Sequence, residues 1–94
     1  MVSVAVLRNM YAIGLLADNV RLYRNGRNLS QEALANMADI ELSQVSRVER
    51  KLLNTGVSMI YALAKALDIK PAQLLEPTST DINYLPIQEK ALII

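Results

Sequence analysis

The sequence predicts an all-α fold, and three observations carry that expectation. Apolar residues fill 52% of the 94 positions although Trp and Phe are absent. Leu, Ile, Val, Met and Ala must therefore build the core, and Ala and Leu are strong helix formers. Apolar positions recur at spacings of three and four, the period of a helix. Between these stretches stand residues that start, turn or stop helices, among them Ser30, Asp39, Pro71 and Pro77. The length suits one domain with a modest core.

Val6, Met10, Ile13, Ala17, Val20 and Tyr23 form the first stripe. Gly14 inside it costs about 1 kcal/mol relative to Ala, so a break there is one possibility. Alternation of Val2, Val4 and Val6 with Ser3 and Ala5 leaves a short initial strand as another. Asn25–Gly26 supplies a stop. In "LSQEALANM", Ser30 is a natural N-cap and Leu29 a hydrophobic staple, with Leu34 and Ala35 facing inward. Asp39 takes the tight turn, where a left-handed residue is needed, and Ile40 plugs the space beneath it. Glu41 begins a second short helix with Val45 and Val48 inward. Ser58 is expected to cap the next helix, which buries Ile60, Leu63, Ala64 and Leu67. Pro71 sits at a first helical position, where its missing donor costs nothing, and Pro77 ends the last short helix.

Composition excludes several chemistries. Without Cys or His there is no disulfide framework, thiolate metal site, His-ligated metal or Ser–His triad. No pair of Asp, Glu or Lys stands out as catalytic, so an enzyme is not expected. No Gly-rich phosphate loop or ligand cluster indicates a cofactor or metal. The apolar start carries its one basic residue, Arg8, inside the run, unlike a signal peptide, and is too interrupted to span a bilayer. A cytoplasmic protein without a membrane is the expectation. Net charge is only +1, but Arg47, Arg50 and Lys51 cluster, and Arg21, Arg24 and Arg27 recur every third residue. Each cluster fits either a solvated face or a polyanion contact.

Two short helices joined by a tight turn make a helix-turn-helix unit. The second helix of such a unit can enter the DNA major groove while the first crosses the backbone. Ser, Gln, Arg and a small apolar side chain are the groups that read base edges there. Leu42, Ser43, Gln44 and Arg47 supply that set on the face opposite Val45 and Val48. Solvent exposure alone is the competing reading for Ser43, Gln44 and Arg47. Leu42 either touches a thymine methyl or covers the turn.

The stretch from "LSQEALANMADIELSQVSRVER" through "VSMIYALAKALDIKPAQLL" resembles the phage-repressor, Cro/Xre-type helix-turn-helix family. The likeness rests on Gln31, Ala35, Ile40, the run Ser46-Arg47-Val48-Glu49-Arg50 and the Ala64 to Leu67 segment. It implies a five-helix Cro/lambda-repressor-like DNA-binding domain at residues 16–76. Residues 1–15 would extend the first helix, and residues 77–94 would form a C-terminal arm. It implies base contacts by Leu42, Ser43, Gln44 and Arg47, and phosphate contacts by Ser30, Gln31, Arg50, Lys51 and Asn54. Arg24 and Glu49 match a family ion pair joining the first helix to the end of the third. If that pair is buried, losing one partner is expected to cost about 3–5 kcal/mol.

The implied function is sequence-specific transcription regulation by a homodimer on a (pseudo)palindromic operator. The recognition helix, residues 41–49, would lie in the major groove of double-stranded DNA. Phage repressors, restriction–modification controllers and antitoxins all fit. The competing reading is a protein-interaction module, antitoxin-like, that keeps the fold with weak or no DNA binding. Three departures from the family pattern stand out. Asp39 occupies the turn glycine, Glu41 the usual Ser or Thr cap, and Lys51 the glycine after the "ER" pair.

Overall fold

The computed structural model of the protein describes residues 8–77. Asn9 opens α1, Met10–Gly26, by accepting a hydrogen bond from the backbone N–H of Ala12 at 3.0 Å. Gly14 does not interrupt this helix, which runs continuously through it. Ser30 caps α2, Gln31–Ala38, its hydroxyl accepting from the Ala33 N–H at 2.9 Å. α3 spans Leu42–Glu49, α4 spans Val57–Leu67, and a 3-10 helix, Pro71–Leu75, ends the described chain. The fifth expected helix is thus this 3-10 turn. Five residues begun by a proline are too few to propagate an α-helix. The expected initial strand (residues 2–6) and nearly all of the C-terminal arm lie outside the described residues.

The core forms where the helical stripes meet. Leu34 of α2, Val45 of α3, Val20 of α1, Leu63 and Leu67 of α4 and Leu74 of the 3-10 helix are wholly buried. Leu16, Ala35, Val48 and Ala64 complete the cluster. The first stripe is buried from Ile13 to Val20, but Met10 stays 56% exposed at the open end of α1. α2 and α3 bury only one narrow side each, which leaves their outer faces to solvent.

α1 ends at Gly26, at the expected Asn25–Gly26 stop, and the left-handed residue follows at Asn28, with φ 56°. One expected boundary falls elsewhere. α4 is capped by Gly56 in extended conformation, so Ser58 lies inside the first turn rather than before it. The turn between α2 and α3 does bend at Asp39, in the left-handed region at φ 57°.

Among the described residues, Asn19 is the one buried uncharged polar side chain, at 1% exposure. Its amide donates to the carbonyls of Leu74 at 3.0 Å and Glu76 at 2.9 Å. Those carbonyls end the 3-10 helix, so one side chain of α1 fastens the end of the domain. Asn19→Ala should leave buried acceptors without a donor and cost about 1–3 kcal/mol. Thermal denaturation would show the loss as a lower Tm, and amide exchange should quicken first around residues 71–76.

Candidate nucleic-acid interface

Glu49 is the last residue of α3, and its carboxylate is buried at 2% exposure. An anion at a helix C-terminus opposes the helix dipole, and burial adds a desolvation cost. The surroundings offset both. Arg24 of α1 approaches as a fork, donating from Nε to Oε2 at 2.6 Å and from Nη2 to Oε1 at 2.9 Å. Gln31 Nε2, at the first residue of α2, donates to Oε1 at 3.0 Å. Arg21 donates to the Glu49 backbone carbonyl, and its Nε lies 3.8 Å from Oε1. Arg24 also donates from Nη1 to the Leu29 carbonyl at 2.8 Å, holding the loop before α2. One carboxylate therefore joins α1, α2 and α3.

Burial pushes the Glu49 carboxyl upward. Hydrogen bonds from Arg24 and Gln31, with the charges of Arg24 and Arg21, more than cancel this and hold its pKa below the ordinary carboxylate range. The same hydrogen bond raises the Arg24 guanidinium against its own partial desolvation.

On this frame α3 presents its outer face. Val45 and Val48 point into the core, while Leu42, Ser43 and Arg47 are exposed. Leu42 is 44% exposed, so it does not simply seal the turn. Glu41 is the N-cap, and its backbone N–H donates to Gln44 Oε1 at 3.2 Å. Gln44 thus closes the first turn of α3, a role the sequence reading did not give it. A bidentate adenine contact needs both its amide oxygen and its nitrogen, so such a contact would displace this capping bond.

The expected phosphate set divides. Ser30 and Gln31 stand together at the start of α2, both already engaged within the fold. Arg50 is exposed, and its Nε donates back to Ser46 Oγ at 3.1 Å. Asn54 is exposed in the loop after α3. Lys51 turns the chain at φ 63°, a left-handed conformation in which a residue other than glycine is strained. Its ammonium lies 3.9 Å from Asp18 of α1. Arg27, outside the expected site, sits 3.6 Å from Asp68.

Two short helices locked at a fixed angle, with a polar and basic outer face on the second, define a helix-turn-helix DNA-binding transcription regulator. The comparisons agree with that class. The sequence profile of the helix-turn-helix family matches residues 20–74. The control protein C.SmaI of Serratia marcescens is 46% identical over 61 residues, covering 65% of this chain and 73% of that protein. The crystal structure of the restriction-modification controller protein C.AhdI from Aeromonas hydrophila superposes with a TM-score of 0.64 at 37% identity. That match covers 66% of this chain and 94% of C.AhdI. The hypothetical transcription factor NHTF from Neisseria gives a TM-score of 0.68 at 35% identity, over 96% of this chain and 94% of its own. The chain belongs to the helix-turn-helix family. No helix among the described residues is long and apolar enough to cross a membrane.

Two expectations follow from the frame. A carboxyl whose pKa is depressed on folding binds fewer protons in the native than in the unfolded state, so stability rises with pH there. The Glu49 contribution is complete above the ordinary carboxylate pKa, about 4.3. It drains away as pH falls through that value toward the depressed one. Wild-type Tm should therefore drop in acid, and Glu49→Gln should have a lower Tm at neutral pH with a shallower acid slope. Separately, Lys51→Gly should relieve the left-handed strain, for a gain of about 0.5–1 kcal/mol. That gain is a Tm rise of about 2–8 °C, which a melting curve would resolve.

Proposed function

We propose that the protein is a transcription regulator of the restriction–modification controller kind. It binds as a homodimer to a (pseudo)palindromic operator, with residues 41–49 in the major groove. The observation that carries this reading is the buried Glu49 junction. It fixes the start of α2 against α3, which is the geometry required to seat phosphates and base edges together. The likeness to C.SmaI and C.AhdI supports the controller role.

In this reading Ser43 and Arg47 reach base edges, Leu42 meets a thymine methyl, and Gln44 contributes by trading its cap bond. Ser30 and Gln31 hold phosphates on one side of the groove, and Arg50, Lys51 and Asn54 on the other. A single unit spans too few base pairs for useful specificity, so two copies related by a twofold axis read two half-sites. Val57 and Tyr61, one turn apart on α4, and Leu75 expose apolar surface at the last elements. A dimer contact there would cover them. The site of action is the cytoplasm.

Selection from random duplexes followed by sequencing tests the reading. It should return a palindrome; no retained sequence would favour a protein-interaction role for the fold. On the recovered duplex Arg47→Ala should lose about 1–3 kcal/mol with Tm unchanged. On a scrambled duplex it should lose much less. Equal losses on both would refute base readout by Arg47.

A further inference from the structure

Lys51 and Arg21 converge on one carboxylate. Asp18 Oδ1 lies 3.7 Å from Arg21 Nη1 and 3.9 Å from Lys51 Nζ. Both separations exceed hydrogen-bond distance, and the three side chains are 43–49% exposed. The grouping is therefore loose, in contrast to the forked and buried Arg24–Glu49 pair beside it. A pair of this exposure contributes little to folding.

The stem of Lys51 lies in ordinary contact range of α1. A Cβ added at Gly14 would lie 3.9 Å from Lys51 Cε and 4.0 Å from Nζ. The lysine therefore lies back over α1 next to Gly14, with its charge directed at Asp18. Lys51 comes next after Arg50, the C-cap of α3, and Arg21 is anchored by its hydrogen bond to the α3 terminal carbonyl. Both cations thus stand at the end of the helix that meets DNA. A DNA phosphate offers the same chemistry as Asp18: anionic oxygens that accept from an ammonium or guanidinium.

We propose that Asp18 is an internal competitor for the DNA phosphate taken up by Lys51 and Arg21. It sets operator affinity and salt dependence without contributing to base readout. The proposal rests on the DNA-binding reading above. On binding, the two cations exchange Asp18 for a phosphate, and the released carboxylate takes a cation from solvent. That uptake offsets part of the counterion release from DNA. Asp18 thereby holds down the affinity that Lys51 and Arg21 contribute.

The test measures binding of the full-length protein to the selected duplex across a salt series. Asp18→Asn, with Asp18→Ser as a second variant should the first fold poorly, should bind tighter by about three- to fivefold at low salt. Its plot of log affinity against log salt should be steeper by up to about one. Asp68→Asn removes the same unit of charge from a 90% exposed site beside Arg27 and serves as the control. It should gain clearly less. In a Lys51→Met background the gain from Asp18→Asn should shrink. Equal gains in the Asp18 and Asp68 variants, or a gain undiminished by Lys51→Met, would reduce the effect to net charge and overturn the proposal. No gain in a folded Asp18 variant would do the same. Failure of the wild-type protein to retain any duplex would instead overturn the DNA-binding reading itself.

Discussion

The Glu49 carboxylate is the point on which the architecture turns. It is placed where an anion is least welcome, at the negative end of a helix and out of water. Such a group persists only when donors reach it from fixed positions. Arg24 supplies a planar fork, Gln31 an amide and Arg21 a further positive charge. Each donor belongs to a different position on α1 or α2. Satisfying one charge therefore fixes three helices at once. Hydrophobic contact alone would hold these helices together but would tolerate small slides between them. A forked hydrogen-bonded pair does not, because its energy depends on direction as well as distance. For a sequence-specific DNA-binding regulator, that directional lock matters more than its net contribution to stability.

The bends between helices obey a different constraint. Asn28, Asp39, Lys51 and Asp68 all take left-handed backbone conformations, and among the described residues no glycine does. Asn and Asp tolerate this region because their short polar side chains can bond locally. Lysine has no such compensation. Its presence at the end of α3 puts a positive charge where a glycine would have been easier to accommodate. The strained position and the proposed phosphate contact coincide, as is common where strain persists. The chain keeps a less comfortable turn and gains a cation next to the recognition helix.

Much of this was legible in the sequence, and the exceptions share a cause. The stripes gave the buried faces of α2, α3 and α4, and Ser30, Asp39 and Pro71 marked real boundaries because their roles are local. Arg24 and Glu49 could be paired only through family resemblance, since 25 residues separate them and no local rule links them. Asn19 had no signal at all. Its partners are backbone carbonyls 55 and 57 residues away, and a carbonyl has no residue identity to read. Ser58 fails for the opposite reason. It is a fitting cap by type, yet Gly56 occupies the cap position. The capping role of Gln44 could have been seen, because a Gln three residues after the cap is half of a capping box.

The two groups of charge beside α3 divide the work between rigidity and response. Glu49 is sealed, short-bonded and multiply held, so it behaves as part of the frame. Asp18 is half-exposed and held at longer range by two half-exposed cations, so its partners can leave it at little cost. Arg21 belongs to both groups, bonded to the α3 terminus through one nitrogen and facing Asp18 through another. An incoming phosphate at Lys51 would therefore meet an arginine already positioned by the frame. Because that anchoring is made in the free protein, the entropy of ordering Arg21 is largely spent before DNA arrives. What remains adjustable is the exchange of one anion for another, and that exchange is where ionic strength acts. The helix geometry sets which duplex fits, and the loose carboxylate sets how tightly it is held.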